Sequence, residues 1–242
     1  MNNSQKDQFQ RELNLSSGAK KHLEDRFFDS EIIKTFQIGF CPPTSKYSFD
    51  LLNGRLIVPI HDAYGDVIAF SGRRLEVYGK EVKDHYIADS SRLDGLNKYM
   101  KWKTAKWINT SYYKADHLYN LNLSKKYIYE KNFCFVVEGY FDVMHLHKLG
   151  FKNVVALCGT TLSEKHCDLI FRYCDKIILM LDGDESGQIA TEKSSIRARN
   201  KHLYTNIVKL PDKFDPDNLT KDHLDFISNE VLNSSDEVYI EI

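Results

Sequence analysis

Three groups of carboxylates follow short apolar runs in the second half of the sequence. Glu138 ends the run FCFVVE, and Asp182 ends IILMLD, with Asp184 two residues later. Asp215 and Asp217 follow the run YTNIVKL. Clustered carboxylates repel one another, so such a group is stable only when its pKa values rise or when cations lie between its members. Hard oxygen ligands in this number suit Mg²⁺ or Mn²⁺, which bridge to phosphate oxygens. The spacing therefore predicts a divalent-metal site for chemistry on phosphates.

The elements that must position these acids are predicted to be parallel strands with helices between them. The apolar runs FCFVVEG, NVVALCG, DKIILMLDGD and YTNIVKL alternate with segments of helical spacing. This pattern is typical of a parallel sheet covered on both faces. The carboxyl ends of such strands share one edge, where ligands bind. We therefore expect the acids, including Asp142 after the first run, to converge there, although any one of them alone would more often be a helix cap or a loop carboxylate.

The first half of the chain has a different pattern. From Ser17 the sequence predicts two short helices, with Asp29 or Ser30 able to cap the second. The runs RLIVPI and VIAFSGRRL, joined by DAYGD, predict a β-hairpin. The polar, lysine-rich residues 76–105 predict a loop. We place the domain boundary near 122–132, which gives a flexible N-terminus (1–15), a mixed α+β subdomain (16–122), an α/β subdomain (130–225) and a C-terminal tail (226–242).

Composition limits the remaining possibilities. The chain has 242 residues, of which 42% are hydrophobic, and this is ample for a sizeable core. No apolar run approaches the roughly 18 residues needed to cross a bilayer, so we expect a soluble, intracellular protein without membrane contact. The five cysteines form no Cys-x-x-Cys pair, which predicts no zinc site in this chain. The net charge of −1 does not show how the charges are distributed. If metal ions neutralised the clustered acids, the rest of the chain would carry a net positive charge.

The motifs resemble those of a known family. The stretches VEGYFDV (137–143), ALCGTT (156–161), MLDGDESG (180–187) and LPDKFDPD (210–217) resemble, in order and spacing, the Toprim motifs of DnaG-type bacterial and phage primases. The first half, with GRLIVPIHDAYGDVIAFSGRRL and KWINT before YKADHLYNL, resembles the N-terminal part of the primase catalytic core. Toprim motifs also occur in topoisomerases and some nucleases, whereas the GRLIVPI stretch is specific to primases. The resemblance implies an α/β Toprim subdomain, with a Rossmann-like parallel sheet, and a mixed α+β N-terminal subdomain.

The same resemblance implies an activity and a set of site residues. It implies a DNA-directed RNA polymerase core that makes short primers on single-stranded DNA from nucleoside triphosphates. Catalysis and binding of Mg²⁺ or Mn²⁺ would fall to Glu138, Asp182 and Asp184, and the acids that help to hold ions or water would be Asp142, Asp215 and Asp217.

A second set of residues matches basic positions of the core's first subdomain. Arginine forks suit phosphate groups, and we expect this set to bind nucleotide, template or the RNA–DNA hybrid. Surface solvation is the alternative for every member. The set comprises Arg26, Arg55, Arg73, Lys106, Asn109 and Lys114.

The resemblance also suggests partners and leaves two rival functions. It implies a replicative helicase and a zinc-binding module, both outside this chain, in the cytoplasm of a bacterial or phage-infected cell. The first rival is a Toprim nuclease, which the primase-type first half disfavours. The second is a primase-derived DNA-binding or regulatory protein without efficient polymerisation, which the intact set of acids disfavours.

Overall fold

An antiparallel sheet of four strands organises the first half of the chain. The computed structural model describes residues 3–44, 50–88, 92–159 and 161–242. The strands lie in chain order, and β1 with β2 and β3 with β4 are antiparallel. The carboxylate of Asp62 closes the turn of the predicted hairpin by accepting hydrogen bonds from the backbone of Tyr64, Gly65 and Asp66. The hairpin is confirmed, and the strands are β1 (Gly39–Cys41), β2 (Arg55–His61), β3 (Val67–Arg74) and β4 (Trp107–Asn109).

Three helices precede or flank β1: α1 (Asn3–Leu15), α2 (Ser17–Glu24) and α3 (Ser30–Thr35). Asp29 caps α3 by accepting a 2.9 Å hydrogen bond from the backbone N–H of Ile32. The predicted flexible N-terminus is wrong for the described residues 3–15, because Phe9 and Leu13 are buried and lie four residues apart on one helix face. The Phe9 ring packs edge-on against Phe70, with centroids 5.3 Å apart.

A pair of helices replaces the loop predicted for residues 76–105. These helices are α4 (Gly79–Ile87) and α5 (Arg92–Thr104). Their contact is formed by Val82, Tyr86 and Trp102, all buried. The indole N–H of Trp102 donates to the carbonyl of Asn53 at 3.0 Å. The loop prediction was wrong because only a few residues of this polar segment are buried. So few buried residues give the sequence only a weak amphipathic pattern.

A parallel sheet of five strands organises the second half, as the alternating pattern predicted. The strand order is β6-β5-β7-β8-β9, and every neighbouring pair is parallel. The strands are β5 (Cys134–Val137), β6 (Val154–Ala156), β7 (Lys176–Leu179), β8 (Tyr204–Lys209) and β9 (Tyr239–Glu241). The helices are α6 (Leu121–Lys131), α7 (Tyr140–Lys148), α8 (Glu164–Phe171), α9 (Glu185–Asn200) and α10 (Lys221–Asn233).

The boundary between the two halves differs from the prediction. The chain divides into one unit of Met1–Ile60 with Val67–Tyr112 and another of His61–Asp66 with Tyr113–Ile242. The predicted boundary at 122–132 falls in α6, whose buried Ile128 belongs to the core of the second unit. The expected tail, 226–242, contains the end of α10 and all of β9. No helix in the described part of the chain is long and apolar enough to cross a membrane.

Candidate active site

The first two acids lie where β5 passes into α7. Glu138 directly follows β5, and its backbone carbonyl accepts a 2.8 Å hydrogen bond from the N–H of Cys158. This bond joins the end of β5 to the loop after β6. Asp142 lies in the first turn of α7, where its carboxylate accepts a 2.7 Å hydrogen bond from the N–H of Gly139. Asp142 is buried, so the strand-to-helix turn holds a carboxylate away from water.

The second group lies where β7 passes into α9. Asp184 caps α9, and its Oδ1 accepts from the Gly187 N–H and the Ser186 hydroxyl, both at 2.8 Å. Asp182 is half-buried, and its Oδ1 is buried without a hydrogen-bond partner among the described residues. A Cβ on Gly183 would collide with the carbonyl of Pro211, so only glycine allows this close approach.

The third group lies on a short 3₁₀ turn, Pro216–Asn218. The backbone N–H of Asp215 donates a 2.8 Å hydrogen bond to the side-chain carbonyl of Asn218, which fixes this turn. The ring nitrogen Nε2 of His145, on α7, lies 2.7 Å from the carbonyl of Leu219. Helix α7 is thereby linked to the segment that carries Asp215 and Asp217, which brings the third group to the same edge as the first.

Electrostatic interactions with Asp142 and Asp182 link the acids of the three groups. Burial, together with the charges of Asp217, Asp215 and Glu138, raises the pKa of Asp142 to about 7, although the hydrogen bond from Gly139 acts in the opposite direction. Burial, together with the charges of neighbouring acids, raises the pKa of Asp182 to about 8. These neighbouring acids are Glu138, Asp142, Asp215 and Asp184.

Asp184 differs from Asp142 and Asp182, because the hydrogen bonds from Gly187 and Ser186 lower its pKa. Each of the six predicted acids is thus either Asp142 or Asp182 or interacts electrostatically with one of these two, and Asp184 occupies the N-cap of α9.

The donor set can be tested against a divalent ion. Within the described residues, no three Asp, Glu, His or Cys side chains are arranged to hold one ion jointly. Mg²⁺ keeps several waters and typically takes one or two carboxylates from the protein. The partnerless, buried Oδ1 of Asp182 is a hard oxygen donor surrounded by other carboxylates. The residues therefore fit a hydrated divalent cation, whose charge would also relieve their mutual repulsion.

The raised pKa values predict an unusual pH dependence of stability. Asp142 and Asp182 bind protons more tightly in the folded protein than in the unfolded chain. Their contribution to the free energy of unfolding is therefore complete below about pH 4 and is lost as the pH rises through 7 and 8. In a chelator, these two groups should lower the melting temperature as the pH rises from about 4 to about 8. Thermal scans should show a flatter profile for Asp182→Asn and an unchanged one for Asp212→Asn. Equal profiles for Asp182→Asn and the wild type would contradict the crowded cluster.

Lys114 lies beside the acidic edge. Its ammonium group donates a 2.8 Å hydrogen bond to the carbonyl of Cys158, the residue whose N–H binds Glu138. The carbonyl of Lys114 lies 2.9 Å from Nε2 of the buried His166. His166 was not among the predicted site residues, although its place three residues after the helix-capping Ser163 marks it as part of a capping motif. Thr160, in the ALCGTT motif of this loop, lies outside the described residues.

Three predicted basic residues gather in the first unit. Arg73, at the end of β3, and Lys106, before β4, line a cavity of about 410 Å³. Burial, followed by the charges of Arg26 and Arg74, lowers the pKa of Arg73 to about 10. The Arg73 guanidinium lies 5.6 Å from the centroid of the Trp107 ring. The arrangement suits a phosphate group, because the basic side chains that line the cavity outnumber the two acids, Asp25 and Glu76, that also line it.

Residues that were not predicted complete this cavity. Lys21 and His22, from α2, line it together with Arg74. Burial and the charges of Arg26 and Arg73 lower the pKa of His22 to about 4, so this ring is neutral at neutral pH. The basic residues of the stretch AKKHLEDR are visible in the sequence, but only the fold brings α2 to the end of β3.

Arg55 requires a correction. It is fully buried, and its guanidinium donates hydrogen bonds to the carbonyls of Gly72 and Trp102, both at 2.9 Å. Longer bonds reach Ala105 and Lys106. The predicted nucleic-acid contact is therefore wrong for Arg55, because the side chain is buried and its two terminal nitrogens hold β2, β3 and the end of α5 together.

Asn109 is half-buried in β4, where it pairs with Ser71. It is not among the residues that line the cavity of Arg73 and Lys106.

Comparisons with known proteins match both halves of the chain. Residues 43–125 match the family model of the DNA primase catalytic core, N-terminal domain, and residues 135–220 match a Toprim-like model. The DNA primase of Aquifex aeolicus is 27% identical over 91% of this chain, and that of Lactococcus lactis is 30% identical over 86%. The chain covers 46% and 34% of these relatives, respectively, so it spans less than half of their length.

Solved structures agree with this match. The zinc-binding and RNA polymerase domains of the Aquifex aeolicus primase superpose with a TM-score of 0.74 at 26% identity, covering 93% of this chain and 58% of that one. A DnaG primase catalytic domain bound to single-stranded DNA gives 0.74 at 25% identity, covering 94% and 76%. The Escherichia coli primase catalytic core gives 0.73 at 25% identity, covering 94% and 78%.

Proposed function

We propose, since the chain has the DnaG-type primase catalytic core, that it is a DNA-directed RNA polymerase making short RNA primers on single-stranded DNA. The observation that carries the proposal is the meeting of six carboxylates at the carboxyl edge of the parallel sheet. Two of them, Asp142 and Asp182, have raised pKa values. A protein that only bound DNA would have no use for such a costly group of acids, whereas nucleotidyl transfer needs cations beside the phosphates.

Within this proposal, Glu138, Asp182 and Asp184 hold Mg²⁺ or Mn²⁺. When bound, the ions neutralise phosphate charge and favour the ionised 3′-hydroxyl of the primer. Asp184 suits this role because two hydrogen bonds keep it ionised and oriented. Asp182 suits it because its buried Oδ1 has no partner among the described residues. The acids that would bind water or a further ion are Asp142, Asp215 and Asp217.

The basic residues are proposed to hold the polyanionic substrates. Lys114 would bind nucleotide phosphates, because its ammonium lies at the Cys158 carbonyl beside the acidic edge. Arg73 and Lys106 would bind the backbone of the template or of the hybrid in the cavity of the first unit. Arg26, whose charge acts on Arg73, would bind the same backbone beside the cavity. Asn109 stays a weaker candidate for binding nucleotide or nucleic acid.

The basic residues give a prediction of their own. Arg73→Ala and Lys106→Ala should each weaken binding of single-stranded DNA, and each should reduce the slope of log affinity against log salt by about 1, because each removes a phosphate contact. Fluorescence anisotropy over a range of salt measures both effects. Lys193→Ala, on the exposed face of α9, is the matched control. Slopes equal to that of the wild type would remove these residues from the template path.

The function itself is tested by incorporation of labelled nucleoside triphosphates on circular single-stranded DNA, with metal and template varied separately. We expect RNA products that require both. A parallel incubation with metal and DNA but without nucleotides tests the nuclease, whose signature is DNA cleavage. DNA binding without products or cleavage would favour the regulatory protein.

Partner proteins belong to the same proposal. Because initiation must hold two free nucleotides on a template, we expect the chain alone to extend a supplied primer more readily than it starts one. A zinc-binding module supplied in trans should raise initiation and restore start-site choice, and a replicative helicase is the further proposed partner. Efficient, sequence-specific initiation by the chain alone would contradict this dependence.

A further inference from the structure

Helix α5 presents a line of apolar side chains to solvent. Leu93, Leu96 and Met100 are 73%, 38% and 51% exposed. Their spacing of three and then four residues places them on one face of the helix. Single exposed apolar residues are common, but a contiguous line of three on a helix is a feature of docking surfaces. We call these three residues the α5 ridge.

The opposite face of α5 is already filled, so the ridge cannot turn inward. Gly95 fits against the carbonyl of Tyr86 so closely that a Cβ there would collide with it. Trp102 is buried and hydrogen-bonded to Asn53. Lys98 forms 3.3 Å ion pairs with two acids, one on α5 itself and one outside it. These contacts fix the orientation of α5 about its own axis. A partner would therefore bind a surface that is already ordered, without an entropic cost for ordering it.

Basic residues border the ridge. At 100° per residue, Arg92 and Lys103 lie along one side of it, and Lys101 lies beyond the other side. All three are exposed. Among the described residues, no ion pair neutralises Lys101 or Lys103. We call Arg92, Lys101 and Lys103 the basic rim. The one acid of α5 beside it, Asp94, is paired with Lys98, so the basic rim carries net positive charge.

We infer that the α5 ridge docks an amphipathic helix of another protein, one with an apolar stripe flanked by aspartate or glutamate. The apolar ridge favours protein over nucleic acid, because Leu and Met side chains neither bind phosphate nor stack well on bases. The basic rim favours an acidic helix over a second copy of this chain, because two such rims would face each other with like charge. The ridge is also too short for stable insertion into a lipid surface.

The test uses the full chain and a labelled synthetic helix of about 20 residues with leucines at positions i, i+3 and i+7 and glutamates beside them. Fluorescence anisotropy measures its affinity. Leu93→Gln combined with Met100→Gln should weaken binding about tenfold or more, and so should Lys101→Glu combined with Lys103→Glu. The matched control, Tyr129→Gln with Phe171→Gln, removes exposed apolar side chains elsewhere and should bind like the wild type.

A charge-reversed peptide, with lysines for glutamates, should bind the Lys101→Glu, Lys103→Glu variant better than the wild type. Circular dichroism verifies that each variant is folded, and unchanged primer synthesis by the Leu93→Gln, Met100→Gln variant separates this surface from the active site. No binding of the acidic helix, or equal binding by all variants, overturns the inference. So does binding of single-stranded DNA or anionic vesicles that the ridge variants abolish, or self-association that they abolish in sedimentation.

Discussion

Asp182→Asn should lower primer synthesis by about 100-fold or more while leaving the fold intact. The amide keeps the shape of the side chain but removes a charged oxygen donor whose position is buried and partnerless among the described residues. Glu138→Gln should have a comparable effect for the same reason. Incorporation of labelled nucleotides on single-stranded DNA measures the loss, and Asp212→Asn, an exposed acid outside the cluster, is the matched control.

Stability separates this loss from misfolding. Because Asp182 is crowded by other carboxylates, its neutralisation should leave the metal-free melting temperature unchanged or raise it. Addition of Mg²⁺ should raise the melting temperature of the wild type more than that of Asp182→Asn. Near-normal synthesis by either variant would show that the proposed metal site is wrong.

Arg55→Met should destabilise the first unit by about 3 kcal/mol or more. The substitution keeps an apolar stem of similar length but leaves four carbonyls, two of them bonded at 2.9 Å, without their donor. Arg55→Lys should be intermediate, since one ammonium cannot reach carbonyls that a planar guanidinium spans. Urea unfolding followed by circular dichroism measures the effect.

Two controls make this prediction specific to the buried network. Arg11→Met, on the exposed face of α1, should leave the unfolding midpoint unchanged. Binding of single-stranded DNA by Arg55→Met, measured at a temperature where it is folded, should match the wild type. A variant with normal stability and lost DNA binding would restore Arg55 to the nucleic-acid site.

The sequence by itself determined the architecture of the second half and the position of its acids. Strand-length apolar runs that alternate with helical segments admit few arrangements, and the connections between parallel strands bring their carboxyl ends to one edge. Glu138 and Asp182 therefore had to lie near each other whatever the details of packing. The hairpin of β2 and β3 was equally readable, because the turn DAYGD carries both the Asp that closes it and a glycine.

Only the tertiary structure decided which polar segments are buried and against what. Residues 3–15, 79–87 and 92–104 are polar in sequence, yet they form helices because a few side chains, such as Phe9 and Trp102, contact residues far away along the chain. The role of Arg55 was likewise decided by distant residues. A guanidinium binds phosphate oxygens and backbone carbonyls alike, and its carbonyl partners lie up to 51 positions away in sequence. Local pattern records a side chain's chemistry, whereas its role depends on which distant groups the fold brings within hydrogen-bonding distance.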